Sequence, residues 1–488
     1  MRIVLLTPGT GSYHCGVCMR DNALAKALIR QGHTALMLPM YLPLTLDEDA
    51  ATPGTPIFFG GVSTYLREKI PLLRRMPRWL DRLLSHRVLL RLLAGKAAAQ
   101  TGGPDVAELT LSMLKGEEGN QAGEIAELVE WLQTHGQPEI VWLSTALQAG
   151  LARRIRSELR VPVIGFLQGE DTFLDGLGEP WSSRVWALLS ERMRDADLWI
   201  APSKYFASLM AKRLGWSAEE SARRIHVAPN GISLEGYRDS IAPMRSAGGP
   251  PVIGYLARFV PGKGLGLLVD AFITLKKHGS IPHLKLRCAG SMTAGDAIYV
   301  EKLQARLEAA GVAVDATFFP NVSREEKLAF FDGLTVFSVP ATYSEAFGLY
   351  VIEALAAGVP VVLPNASAFP EIIEATGGGR LFDLGTNEAE SAVALADALE
   401  AVLSDPDKAR AIGEQGRIAV RGYYTTEKLA EKLAAVSQGL IESGGAARRS
   451  QVALGNALAE RSFTSQAGVS AGPLPEALAP GNETRSGN

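Results

Sequence analysis

Two glutamates, Glu345 and Glu353, stand in the apolar stretch that runs from Thr342 to Pro360. An ionised carboxylate accepts hydrogen bonds in pairs, which suits sugar hydroxyls. Upstream, Arg258 and Lys263 share one short glycine- and proline-bearing segment. Arginine offers phosphate oxygens a planar fork and lysine a compact point charge. Two acids beside a phosphate repel it unless each faces something else. One could hold a pyranose and the other a ribose, with phosphates between them. Taken alone, the glutamate spacing is equally that of a surface helix with acids in its N-terminal half.

The elements around these residues decide what they can reach. Thr335 to Pro340 reads as a short buried strand, bounded by a proline. Leu349 to Ala357 is rich in helix formers and stops at Gly358, a C-terminal glycine. Glu345 therefore sits in a loop, and Glu353 inside a helix that begins near Gly348. A strand–loop–helix unit leaves free backbone N–H groups at the helix start, which is an anion site. Gly348 removes a side chain where a phosphate or sugar must come close. Val252 to Ala257 is a second such strand. It runs into Arg258 and Lys263, then into a helix to about Lys277, so the cations lie at another strand–helix junction.

The segment from Glu345 to Glu353 resembles the Glu-x7-Glu signature of retaining GT-B glycosyltransferases of family 4, and Arg258 with Lys263 is similar to that family's diphosphate-binding pair. The resemblance covers most of residues 1–43 and 120–441. It implies an α/β GT-B fold, two Rossmann-like doubly wound domains facing across a cleft. It also implies transfer of a sugar from a nucleotide-diphosphate donor with retained anomeric configuration and without metal or cofactor. Arg258, Lys263 and Glu345 then carry the chemistry. Gly290, Asn321, Val322, Phe347, Gly348, Leu349 and Glu353 line the donor, the base being held by backbone near Asn321 and Val322. The acceptor is not named by any residue.

The N-terminal part reads as the acceptor side. Arg2 to Thr7 is a strand, about Met19 to Gln31 a helix and Ala35 to Pro39 a strand, a βαβ opening. By resemblance, Gly11 and Ser12 in the first glycine loop line the cleft. The strand from Val161 to Leu167 ends at Gln168, where many members of the family carry a histidine, and the role of that histidine does not carry over. Asp171 is an acceptor-side candidate on position. His14, Cys15 and Cys18 make a Cys-x-x-Cys without the second pair a zinc site needs. The domains expected are 1–232, 233–423, and 424–442, a terminal helix that crosses back to the first domain, with Thr425 or Thr426 as its cap. Residues 443–488 are low in complexity and read as a disordered tail.

Residues 44 to about 120 read as an insertion. Asp47 to Asp49 are taken as a solvated loop. From Leu72 to Leu84, a leucine stripe opposes Arg74, Arg75, Arg78 and Arg82. Such a helix can lie on an anionic membrane or pack as a lid over the cleft, and apolar stripes favour packing. The 488 residues suffice for two or three domains. A net charge of −3 provides no field for nucleic acid. Three cysteines cannot build a disulfide framework, which points to the cytoplasm. Outside glycosyl transfer, a silent sugar-nucleotide or membrane-surface binding protein, or a GT-B epimerase or phosphorylase, fits the same motifs.

Overall fold

The computed structural model describes residues 1–9, 16–46, 48–58, 104–239 and 249–444. The expectations for Gly11, Ser12, His14, Cys15, Asp47, the basic helix at 72–84 and the tail beyond Gly444 lie outside them.

The short apolar runs form two parallel six-stranded sheets. The first comprises β1 (Arg2–Thr7), β2 (Thr34–Pro39), β3 (Ile140–Leu143), β4 (Val163–Phe166), β5 (Leu198–Ala201) and β6 (Ile225–Val227), in the order β2-β1-β3-β4-β5-β6. The second comprises β7 (Val252–Leu256), β8 (Lys285–Gly290), β9 (Ala316–Pro320), β10 (Val336–Phe337), β11 (Val361–Pro364) and β12 (Gly379–Phe382), in the order β12-β11-β10-β7-β8-β9. Strands such as β3, β4 and β5 are buried along their whole length, as a parallel sheet covered by helices on both faces requires. Each sheet reverses its strand order once, between β1 and β3 in the first and between β7 and β10 in the second. The loops that leave those strands open a crevice where doubly wound folds hold ligands.

Most expected elements stand within two or three residues of their reading. Arg324–Asp332 is a helix opened by a capping box between Ser323 and Glu326. The strand before Glu345 shrinks to Val336–Phe337, although Ser338 and Val339 are as fully buried. The α-helix Ala122–Trp131 widens into a π-helical turn over Leu132–Gly136. Within the stretch read as an insertion, Pro104–Leu114 is a helix whose Ala107, Leu111 and Leu114 lie in the first domain's core. Of the stretch read as a solvated loop, Asp49 is exposed and outside any helix or strand, while Glu48 pairs with Lys26 at 3.0 Å and the Asp49 carbonyl accepts from Asn22.

The two domains are joined twice. The chain crosses at Asn230-Gly231, where a side chain on Gly231 would collide with the Thr425 carbonyl, and Ile232 bonds to Tyr424 and Thr426 through its backbone. Thr425 then caps the helix Thr426–Glu442 by accepting from the Lys428 N–H. Leu429, Ala430, Leu433 and Leu440 of that helix share a buried cluster with Ile3, Leu5, Leu24 and Leu28 of the first domain. The helix Thr426–Glu442 thus completes the first domain's core. No helix among the described residues is long and apolar enough to cross a membrane.

Leu433 is fully buried in that cluster. Leu433→Ala is expected to cost the first domain about 3 kcal/mol, the range for deleting a core leucine. Denaturant-dependent hydrogen exchange across β1 and the terminal helix reads this loss. Unchanged protection would show that the helix is not part of that core.

Candidate active site

Glu345 is held by two donors. Its Oε2 accepts from Lys263 Nζ at 2.5 Å and from the Tyr350 hydroxyl at 2.6 Å. The two donors come from the two loops at the β7/β10 switch point. Lys263 ends the short turn Pro261–Lys263 after β7, and Tyr350 stands one residue into the helix Leu349–Ala356 after β10. Gly264 makes the close approach of the loops possible. Its φ is +76°, and a Cβ there would lie 1.9 Å from the Pro340 carbonyl oxygen. The Thr342 N–H donates to the Gly262 carbonyl at 3.0 Å and stitches the same two loops together.

Lys263 Nζ also sits 5.0 Å from the ring centroids of both Tyr343 and Tyr350. Aromatic faces attract a cation. Burial alone would lower the lysine's pKa, but Glu345 and Tyr343 outweigh it and raise it above the ordinary value, so Lys263 stays charged. Burial, and next the Glu345 charge, push the Tyr350 hydroxyl well above its usual range. It therefore remains a donor throughout the working pH range.

Glu353 has its own lysine. Its Oε1 accepts from Lys327 Nζ at 2.9 Å, and both side chains are mostly buried. Lys327 lies on the helix Arg324–Asp332, directly after the Asn321-Val322 segment. Gly348 takes φ +91° as the residue before the Leu349 helix, a left-handed conformation that favours glycine.

The other expected donor-side residues are less direct. Arg258 is turned away from Lys263 to Asp296, at 3.3 Å. Burial would raise the Asp296 carboxyl, but bonds from Thr293 and the Arg258 charge hold it below the usual carboxylate range. Asn321 has φ +57°, and its amide is spent on the backbone of Met292, both accepting from N–H and donating to C=O. Gly290 has φ +152°, and a Cβ there would meet the Ala257 carbonyl oxygen at 1.8 Å, so packing alone demands glycine. The Phe347 ring is buried against Tyr424, leaving its backbone to face the crevice. Leu349 and Val322 are half-buried beside the second core.

Across the cleft, Gln168 and Asp171 stand at the end of β4. The Gln168 amide oxygen faces the Arg20 guanidinium. Arg20 lies over the Phe166 ring and pairs with the buried Asp21, which also accepts from the Thr7 and Ser144 hydroxyls. This polar knot sits at the β1/β3 switch point. Asp171 is 4% exposed, and its Oδ1 has no hydrogen-bond partner among the described residues. Burial raises its pKa. Its charge reaches Tyr343, though burial and Glu345 act more strongly on that phenol. Lys327, Tyr343, Tyr350, Arg20 and Asp21 were not singled out from sequence. Consecutive buried charges on an amphipathic helix were the available signal for Arg20 and Asp21.

This arrangement can now be set beside known proteins. The model of the family described as "Glycosyl transferases group 1" matches residues 238–419, and that of "Glycosyltransferase Family 4" matches residues 100–235. The chain belongs to the family 4 glycosyltransferases. A GDP-mannose-dependent alpha-(1-6)-phosphatidylinositol monomannoside mannosyltransferase of Mycobacterium tuberculosis is 29% identical over 48% of this chain and 59% of its own. A D-inositol 3-phosphate glycosyltransferase of Segniliparus rotundus is 28% identical over 46% of this chain and 49% of its own. The matched stretches thus span only about half of these relatives. Among solved structures, a sucrose-phosphate synthase of Thermosynechococcus elongatus superposes with TM-score 0.64 at 18% identity, over 90% of this chain and 99% of that one. HepE of Anabaena, in complex with UDP and glucose, gives 0.61 at 18% over 90% and 99%. These two likenesses establish the GT-B fold of this family 4 member and no more.

The Tyr350 hydroxyl is the interior half of the grip on Glu345. Tyr350→Phe is expected to cost the second domain about 2 kcal/mol, the scale of a buried hydrogen bond to a charged group. Chemical denaturation measures it. Wild-type stability in that variant would mean that the hydroxyl does not hold the carboxylate.

Proposed function

We propose that the protein is a retaining, metal-independent glycosyltransferase that moves a sugar from a nucleotide-diphosphate sugar to an acceptor hydroxyl. One observation carries the reading. Lys263, Glu345 and Tyr350 converge at the switch point of the second sheet, beside a helix N-terminus preceded by a left-handed glycine. Lys263 has three donors, so it can serve Glu345 and a phosphate oxygen at once. Arg258 adds a second cation on the same loop.

In this reading Lys263, Arg258 and the Leu349 helix start stabilise the charge that gathers on the departing diphosphate. Glu345 holds hydroxyls of the donor sugar, where positive charge develops as the bond from C1 to the diphosphate oxygen breaks. The acceptor oxygen forms its new bond to C1 on the same face, and its proton passes to the departing phosphate oxygen. Glu353 binds the ribose. Backbone groups near Asn321 and Val322 hold the base, and Gly290, Phe347, Gly348 and Leu349 let the donor approach. Gln168 and Asp171 face the acceptor, together with Gly11 and Ser12. The domains in this reading are 1–232 for the acceptor and 233–423 for the donor, with 424–442 crossing back.

The relatives' names set the first donors to try. GDP-mannose comes from the mycobacterial enzyme and UDP-glucose from a further HepE structure, solved in complex with it. Thermal stabilisation by GDP and UDP, together with hydrolysis of a panel of nucleotide sugars, tests the reading, because a bound ligand raises apparent stability. Lys263→Ala is expected to lower kcat about a hundredfold, the scale of losing one preorganised charge stabiliser. Wild-type turnover would remove Lys263 from the reaction. Chelator is expected to leave turnover unchanged. Loss restored by a divalent cation would end the metal-independent reading.

The two glutamates divide the donor between them. Glu345→Gln is expected to depress kcat more than nucleotide affinity, since a contact stronger in the transition state shows mainly in rate. Glu353→Gln is expected to weaken free nucleoside diphosphate by about 1–3 kcal/mol, with a smaller effect on kcat at saturation. Calorimetry beside turnover separates the two. The roles are reversed if Glu345→Gln weakens the sugar-free nucleotide more.

A further inference from the structure

The loop that carries Glu345 is gripped by the opposite domain. Ala346, the next residue, is buried in the apolar cluster that holds Leu167, Leu174 and Phe206 of the first domain. A side chain on Gly169 would touch its Cβ. The Ala346 carbonyl accepts from Ser203 Oγ at 2.7 Å, and Ser203 is 3% exposed. The same Ser203 oxygen caps the helix Lys204–Leu214 by accepting from the Phe206 N–H at 3.0 Å. On the other side of Glu345, Ser344 Oγ lies 3.1 Å from the Tyr205 hydroxyl.

A third contact runs in the same direction. Glu371, in the first turn of the helix Phe369–Thr376, accepts from the N–H groups of Lys204 at 2.9 Å and Tyr205 at 2.6 Å. The first N–H groups of a helix have no partner within it, and a carboxylate there also suits the helix dipole. The Ala368 N–H, just before the Glu371 helix, donates to the Glu345 carbonyl at 3.3 Å. The residues before and after Glu345, and the helix packed behind it, therefore all end on one helix start in the first domain. The groups that orient its carboxylate, Lys263 and Tyr350, belong to the second domain.

We propose that Ser203, Tyr205 and Glu371 are positioning residues that make the donor-sugar geometry conditional on docking of the two domains. The docking stands on the contacts alone; its consequence for turnover rests on the glycosyl-transfer reading. In an opened cleft, the Ala346 carbonyl and the Lys204 and Tyr205 N–H groups turn to water, and the backbone of Glu345 loses its outer support. The nucleotide keeps Lys263, Arg258 and the Leu349 helix start, all within one domain. Nucleotide binding and sugar positioning are thus separable, and only the second needs the acceptor-side domain in place. A donor held in the open form is spared from wasteful cleavage.

The test uses the full chain with Ser203→Ala, Tyr205→Phe and Glu371→Ala, and Glu374→Ala as an exposed-acid control on the same helix. Hydrogen exchange at Lys204, Tyr205 and the 344–347 loop is expected to rise about tenfold in Glu371→Ala, the scale of one lost hydrogen bond, and at the loop in Ser203→Ala. Strand β7 and the Glu374→Ala control are expected to match wild type. GDP and UDP affinities are expected to stay within about twofold while kcat falls about tenfold or more, a split that general damage to the second domain does not produce. Unchanged exchange at 344–347 in both Ser203→Ala and Glu371→Ala would overturn the proposal, as would parallel losses of kcat and nucleotide affinity. Should the wild type cleave no nucleotide sugar, the functional reading falls, while the exchange result still decides the docking.

Discussion

In the proposed reading, everything at this site depends on placing carboxylates next to an anion without driving it away. Two unit charges a few ångströms apart in a partly buried setting interact by several kcal/mol. The fold answers by giving each acid its own lysine: Lys263 for Glu345 and Lys327 for Glu353. Both pairs are mostly buried, so solvent screens them little. Lys263 carries three N–H groups, so in the proposed reading it can meet Glu345 and still donate to a phosphate, while the other Glu345 oxygen serves a sugar. A paired acid is also a fixed one, and fixed groups lose less on binding.

The sheet reversal explains why these pairs form where they do. β7 and β10 are neighbours in space, though two strands and three α-helices of chain separate them, and their following loops splay to either side of the crevice. Lys263 leaves one loop and Glu345 the other. The first sheet repeats the device at β1 and β3, where Thr7, Ser144 and Asp21 meet and Arg20 reaches Gln168. The terminal helix and the Glu371 contact then hold the two crevices face to face.

Local chemistry was legible in the sequence, and pairing across distance was not. The loop position of Glu345, the helix position of Glu353 and the glycine at 348 follow from strand and helix signals within twenty residues. The α/β architecture follows from alternating apolar runs, and the family from its motif. Nothing local links Lys263 to Glu345, Lys327 to Glu353 or Glu371 to Lys204, because each pair is brought together by topology. The role expected near Asn321 is a backbone one, and nothing in the sequence signals that its side chain is taken up by Met292, where a left-handed residue at a strand end uses its amide to close the neighbouring loop. Gly290 likewise answers to the Ala257 carbonyl before it answers to any ligand. The ion pair of Glu48 with Lys26 was not legible either, because a polar loop gives no hint of a partner on a helix far earlier.

The central claim is that Lys263 cancels the repulsion of Glu345 at the diphosphate. A double-mutant cycle tests it directly, with Lys263→Ala, Glu345→Gln and both together, reading the Kd of free nucleoside diphosphate by calorimetry. Lys263→Ala leaves Glu345 uncompensated, so adding Glu345→Gln should restore part of the lost affinity, by roughly tenfold for a partly buried charge. A double variant that binds no better than Lys263→Ala alone would contradict the account.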